Sequence, residues 1–394
     1  MTDRQPVAIF RDLLLPASET FIRTQGESLS NFVPHYFGSR RERGIDLPED
    51  RVHLLNRGGI LGKAEEAAFK LLGYSPTFQK KVAAIRPVLV HAHFGSGGAL
   101  ILPTARRSAL PLIVTFHGSD AAMSDYWSSK SHYSQARYVR RRSELIEYGA
   151  LFLAVSNFVK QKLLASGFPD RKVFVHYIGV DLDLFRYIGS SRERPLVLFV
   201  GRLEPSKGCD YLVRAMASVQ QRLPAAELVV IGDGPQRASL ERLAAEVGCK
   251  CQYLGSQTHD QVRRWLERAK VFSVPSVTEP SGISEGFGLV FAEAQAMGVP
   301  VVSFQTGGIP EAVENGITGF LGRERDWEFL ACHIQLLLEN QGLNGRLSSA
   351  AVSRARSKFN LANQTKLLED VYRQVNEIAS GARNPVETRE ITLT

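Results

Sequence analysis

The sequence predicts an α/β protein built from two doubly wound, Rossmann-like domains in tandem, with a cleft between them. Three observations carry that expectation. Short runs of Val, Ile, Leu and Phe alternate with helical patterns along both halves of the chain. These runs are continuously apolar, as parallel strands covered on both faces must be. A polar, strand-free stretch, "DLDLFRYIGSSRERP" (181–195), separates two groups of them, and 394 residues exceed what one core usually serves.

In the first half the strand runs are "PVAIF" (6–10), "RVHLLN" (51–56), "PVLVHAHF" (87–94), "PLIVTFHG" (111–118), "LFLAVS" (151–156) and "KVFVHYIGV" (172–180). Each is bounded by Gly, Pro, Ser or charged residues. "SNFVKQKLLASG" (156–167) reads as a helix with Ser156 as N-cap and Gly167 just past its end. "KAEEAAFKLLGY" (63–74) is amphipathic; packing on the core is its expected role, an interfacial helix the alternative. The second half adds "PLVLFVGRL" (195–203), "ELVVIGDG" (227–234), "VFSVPS" (271–276), "VPVVSF" (299–304) and "GFL" (319–321). From about residue 326 the pattern is helical, and the tail from Gly381 lacks any period and is expected to be mobile.

Composition excludes several classes. Hydrophobic residues make up 44% and charged residues 22%, as in ordinary globular proteins. No apolar run approaches the ~20 residues of a membrane helix. "MTDRQPVAIF" lacks the cationic start and apolar core of a signal peptide. Cys209, Cys249, Cys251 and Cys332 form neither a zinc pattern nor a disulfide framework, so a cytoplasmic location is expected. The net charge of +8 is uneven: residues 1–185 carry 24 Lys and Arg against 17 Asp and Glu, a net of +7. That excess suits an anionic partner (phosphates, nucleic acid or a membrane surface), and it also serves solubility. Nucleic-acid binding would call for aromatics interleaved with the basic residues and a groove motif; neither is present. A dinucleotide oxidoreductase would carry G-x-G-x-x-G after the first strand, and "FRDLLLPASETF" does not.

Ligands of doubly wound sheets bind at the carboxyl ends of strands, and the chemistry-bearing residues gather there. "FVGRLEPSKG" places Gly201, Arg202 and Lys207 between a strand and a helix, where a forked and a point cation can grip a diphosphate. "IGDGP" puts a sharp turn at Gly232. In "SEGFGLVFAEAQ", Gly286 and Gly288 open a helix near Leu289, a ready anion site. Glu285 lies before that helix and Glu293 in its first or second turn. Carboxylates beside a diphosphate should face neutral hydroxyls, although acids there also complement the helix dipole. In "TGGIPEAVENG", Gly307 and Gly308 permit tight backbone.

In the first half, His117 of "TFHGSD" is the best candidate to approach a reacting group, while His91 reads as structural. His91, His93 and His117 have no metal-ligand spacing, so no metal is expected. Ser18 and Thr20 in "LPASETF" are natural N-cap or anion-contact residues.

Together, "GRLEPSKG", "IGDGP", "SVTEPSGISEGFGLVFAEAQAMGVPVV" and "TGGIPEAVENGITGFL" resemble the family-4 retaining glycosyltransferases of the GT-B fold. The resemblance spans about 5–380 and is strongest from Phe199 to Leu321. It implies an acceptor domain over 1–185, a nucleotide-sugar domain over 186–360, a crossover helix over 361–380 returning to the first domain, and a tail over 381–394. Helices over about 344–379 are expected to make that return. By resemblance Arg202 and Lys207, with Gly201 and Gly232 nearby, hold the donor diphosphate. Glu293 contacts the ribose, Glu285 the donor sugar, and Gly286, Phe287, Gly288 and Leu289 the phosphate and sugar through backbone. His117 approaches the donor sugar from the first domain. Ser18, Thr20, His93 and Asp120 fall on the acceptor side. The loop "LPASETF" departs from the di-glycine loop of many relatives and matches members that assemble polysaccharides. The implied reaction moves a hexose from UDP or GDP to a glycan hydroxyl, with retention and without metal or cofactor. A lipid-linked oligosaccharide at an anionic membrane surface, or a soluble phosphorylated sugar, is the implied acceptor.

Overall fold

The computed structural model describes residues 4–42, 44–130, 133–189 and 192–381. The chain divides into two compact units, Met1–Gly179 with Leu361–Thr394, and Val180–Asn360. Each is built on one all-parallel sheet.

In the first unit the strands are β1 (Gln5–Phe10), β2 (Leu13–Leu14), β3 (Phe32–Arg41), β4 (Val52–Asn56), β5 (Val90–His93), β6 (Leu112–Phe116), β7 (Leu151–Ala154) and β8 (Val173–Val175). Their order is β4-β3-β1-β5-β6-β7-β8, and β2 extends the β1 side along the end of β3. In the second unit β9 (Leu196–Val200), β10 (Glu227–Ile231), β11 (Cys251–Tyr253), β12 (Val271–Phe272), β13 (Val301–Phe304) and β14 (Gly319–Gly322) lie in the order β11-β10-β9-β12-β13-β14. Central strands such as β6 and β13 are buried at every residue, which is why their sequences show no alternation. Strand order reverses between β1 and β5 in one unit and between β9 and β12 in the other. These switch points open crevices at the carboxyl ends of those strands.

Three expectations need correction. The boundary falls at Gly179–Val180 rather than 185–186. The stretch 181–195 is tied down as part of the second unit: Asp181 accepts from the amides of Asp183 (2.9 Å) and Leu184 (3.1 Å), and Arg192 donates to the carbonyls of Glu267, Met297 and Gly298. Only the last helix returns. Helix Gln341–Lys358 packs on helix Leu289–Ala296 within the second unit, whereas helix Leu361–Ala379 joins the first. The expected tail lies, beyond Gly381, outside the described residues.

Two chemical contacts fix the returning helix. Tyr372 donates or accepts a 2.6 Å hydrogen bond with His91 Nδ1 and sets its ring edge-on to Phe32. Glu369 accepts from the amides of Ser30 (2.6 Å) and Asn31 (2.7 Å) and from the Asn31 side chain. Leu368, Val371, Tyr372 and Val375 enter the same apolar core as Val7, Ile9 and Tyr36.

Helix Gly59–Leu72 takes the expected core-packing role with one face only. It buries Glu66 and Phe69 and leaves Ile60, Leu61, Leu71 and Leu72 in solvent. It packs on the core through Phe69, whose ring meets Phe10 and Phe78 edge-on.

Candidate functional site

In the second unit, the residues after β9 and β12 converge. Lys207 ends the short turn Pro205–Lys207, and its ammonium meets Glu285 Oε2 at 2.6 Å. Ser276 Oγ donates to the same oxygen at 3.1 Å. The Glu285 side chain is 11% exposed and Lys207 27%, so the pair sits at the mouth of the crevice, partly screened from water. The backbone that holds Glu285 comes from β13: Gly308 N–H donates to its carbonyl at 2.8 Å. Gly307 adopts φ +56°, and a Cβ there would lie 2.2 Å from that carbonyl oxygen. Only glycine fits both constraints. The TGG motif therefore positions Glu285, a role its spacing did not reveal.

Gly288 (φ +76°) leads into helix Leu289–Ala296, and a Cβ on it would meet the Phe291 ring at 2.5 Å. The amides of such a first turn lack intrahelical acceptors and favour an anion. Phe287 is fully buried and anchors this turn edge-on against Phe359. Glu293 lies in the second turn and is 6% exposed; burial pushes its carboxyl up to about 7. Arg202 is exposed and pairs with Glu204 at 2.6 Å rather than joining Lys207. Gly232 is committed to the scaffold: its amide donates to Gly255, and a Cβ would lie 1.9 Å from the Gly201 carbonyl oxygen. The two glycine turns thus exist to let strand ends β9 and β10 pack closely.

In the first unit, β1, β5 and β6 end in a second cluster. His117 Nε2 lies 3.1 Å from His93 Nδ1, and its ring is flanked by Phe21 and Phe94. Burial, and then the nearby Arg11 charge, push His117 down to about 3, so its imidazole is neutral at physiological pH. Its Nδ1 is buried without a hydrogen bond among the described residues. Arg11 forms a forked pair with Glu19 (2.7 and 2.8 Å) and stacks on Phe94, whose φ of +67° is strained for a non-glycine residue. Sequence reasoning missed Arg11, Glu19 and Phe94, although Arg11 stands directly after a strand at the switch point.

Asp120 accepts from the amides of Gly95, His117 and Gly118 at 2.9–3.1 Å, so it clips two loops together. His91 is structural, with Tyr372 on one ring nitrogen and Thr115 Oγ1 (2.7 Å) on the other. Ser18 and Thr20 are not N-caps: Ser18 is exposed in the turn Ala17–Glu19, and Thr20 opens helix Thr20–Glu27, whose cap position is Glu19.

Comparison with known proteins agrees with the two-domain fold. Structures sharing the fold include HepE from Anabaena in complex with UDP (20% identity, TM-score 0.76, covering 94% of this chain and 100% of that one). Sucrose-phosphate synthase from Thermosynechococcus elongatus gives 23% identity and a TM-score of 0.73, over 94% and 99%. Among curated relatives, the amylovoran biosynthesis glycosyltransferase AmsK of Erwinia amylovora is 28% identical over 73% of this chain and 68% of its own length. The D-inositol 3-phosphate glycosyltransferase of Mycobacterium tuberculosis is 32% identical over 73% of this chain, which spans 61% of that relative's length. Residues 183–354 match Glycosyl transferases group 1, and residues 32–184 match Glycosyltransferase Family 4. With its second unit matched by one family description and most of its first by the other, the chain belongs to these two-domain, GT-B-like glycosyltransferases.

Proposed function

We propose that this protein transfers a hexose, with retention, from UDP or GDP to a hydroxyl of a lipid-linked glycan during assembly of a cell-surface or secreted polysaccharide. The observation that carries the reading is the Lys207–Glu285–Ser276 cluster at the β9–β12 switch point, beside the helix that opens at Gly288. Lys207 and the helix amides would hold the diphosphate, and Arg202 would swing from Glu204 to join them. Glu285 would then accept from the donor sugar's hydroxyls and Glu293 from the ribose.

As the anomeric C–O bond breaks, the diphosphate gains charge, and these fixed cations and dipoles stabilise it without a metal. The acceptor hydroxyl attacks from the same face and passes its proton to the departing phosphate oxygen. His117, neutral, would accept or donate a hydrogen bond at the sugar. No nucleophile for a double displacement is invoked. The basic first domain suits peripheral attachment to the cytoplasmic face of a membrane. Among the described residues no helix is long and apolar enough to cross one.

A phosphorylated soluble acceptor is the second reading. It is favoured by the similarity to the D-inositol 3-phosphate glycosyltransferase. A screen of purified protein against UDP- and GDP-hexoses, with nucleoside diphosphate release as readout, names the donor. Adding lipid-linked or phosphorylated acceptors separates the two readings, and NMR of the new linkage reports retention. An inverted product, or turnover abolished by chelator, would overturn the mechanism.

A further inference from the structure

The loop that leaves β1 is closed by an ion pair. Arg11 follows β1 directly, and its Nε and Nη2 donate to the two carboxylate oxygens of Glu19 at 2.8 and 2.7 Å. The two side chains are only 17% and 10% exposed, so salt and water screen this fork less than a surface pair. It draws together the ends of "RDLLLPASE", the stretch that departs from a di-glycine loop. Glycines have no side chains with which to make such a closure.

Both ends of the pair lead to His117. Helix Thr20–Glu27 starts directly after Glu19, and its second residue, Phe21, sets its ring 4.8 Å from the His117 ring. Arg11 lays its guanidinium over Phe94 at 4.3 Å, and Phe94 lies 4.6 Å from the same imidazole. Phe94 holds φ +67° and ψ 145°, a backbone that persists in a non-glycine residue only where its surroundings enforce it. On the ring's own edge, His117 Nε2 is taken by His93 Nδ1 at 3.1 Å. Nδ1 is then the ring nitrogen left without a hydrogen bond among the described residues. A buried polar atom in that position calls for a partner.

We propose that Arg11 and Glu19 are positioning residues for His117: their fork closes the loop so that Phe21 and Phe94 wall the imidazole and keep Nδ1 ready for a hydroxyl of the transferred sugar. Neither residue touches the sugar. The inference rests on the reading that His117 approaches that sugar, and it gives the departing loop a part in turnover. The cost of breaking the fork falls on orientation, because the diphosphate grips lie in the second unit.

A double-mutant cycle tests it. Nucleoside diphosphate release from the preferred UDP- or GDP-hexose gives kcat, and UDP or GDP titration gives Kd. The proteins are the wild type, Arg11→Met, Arg11→Lys, Glu19→Gln, His117→Ala and Arg11→Met/His117→Ala. Arg11→Met and Glu19→Gln should each lower kcat about tenfold or more, the scale of a misdirected contact, with Kd unchanged. Added to His117→Ala, Arg11→Met should cost no more than about twofold, since the ring it positions is gone. Spectra of protein labelled with 15N-histidine give a readout independent of rate. The His117 nitrogens, assigned by their loss in His117→Ala, should report one neutral tautomer in the wild type and an average of two in Arg11→Met.

Equal losses from Arg11→Met with and without His117 would overturn the proposal, as would a wild-type kcat in Arg11→Met and Glu19→Gln, or one unchanged tautomer in Arg11→Met. Each of those results leaves the His117 reading standing. Full kcat in His117→Ala overturns that reading and this proposal with it. Arg11→Lys keeps the charge without the fork and decides the matter where Arg11→Met does not fold: several-fold lower kcat supports the proposal, and a wild-type kcat overturns it.

Discussion

Lys207 and Glu285 neutralise each other across 2.6 Å at the mouth of the crevice. A bound diphosphate would compete for the lysine, leaving the carboxylate to sugar hydroxyls. Lys207→Ala should therefore lower kcat/KM by about a hundredfold or more, the scale of losing one preorganised charge donor at a transition state. Glu293 makes a pH prediction. Its folded carboxyl titrates near 7, above the ordinary carboxylate range, so the folded state binds the proton more tightly than the unfolded chain. Stability from this group is present below the unfolded value and is lost as pH rises toward and past 7. Unfolding of wild type measured against Glu293→Gln from pH 4 to 8 should show a relative loss of about 2–3 kcal/mol, and a flat difference would contradict the burial argument. Gly307→Ala should cost at least about 1 kcal/mol through its positive φ, and should depress activity further by pushing on the Glu285 backbone. Equal losses in stability and activity from Gly307→Ala and from a remote loop glycine would remove that positioning role.

Elements differ in how plainly the sequence announces them. The continuous apolar strands were legible because burial on both faces leaves no alternation to misread. Strand β3 was not, because Pro34 and Gly38 interrupt "FVPHYFGSRR". The structure tolerates Pro34 because β3 pairs there with β1 alone; pairing with β4 begins only at Tyr36. The three residues of β11 are too few to carry a pattern. The sites followed the same logic. Glu285, Glu293, Lys207 and Gly288 announced themselves beside a glycine turn. The Asp120 clip and the Gly232–Gly201 contact depend on loops brought together only by folding. The long loop before Glu285 shows this too. Thr278 is clamped by both oxygens of Glu324, through its amide (3.0 Å) and its hydroxyl (2.8 Å), and its hydroxyl also meets Ser284 at 3.3 Å. Glu324→Ala should free that loop, lowering kcat several-fold with little change in melting temperature; Glu324→Gln should restore most of it. Unchanged kcat in Glu324→Ala would make the clamp irrelevant to Glu285.

At the scale of the whole molecule, the first unit is completed by the returning helix. Leu368 is 1% exposed in the first unit's core, although it follows the entire second unit in sequence. Leu368→Ala should destabilise the protein by about 2–5 kcal/mol, as for other buried leucines. A much smaller change in chemical denaturation would show that the first unit holds together without the helix. The charge asymmetry belongs to this scale as well, since the basic excess lies in the first unit, while the Lys207–Glu285 cluster lies in the second.

The central claim is that the crevice around Lys207 and Glu285 is a nucleotide-sugar site. Its most direct test is nucleoside diphosphate release from UDP- and GDP-hexoses by the wild type and by Glu285→Ala, with folding of the variant checked by circular dichroism. The wild type should turn over a preferred donor, and a folded Glu285→Ala should lose about a hundredfold or more. Full transfer by Glu285→Ala with that donor would contradict it.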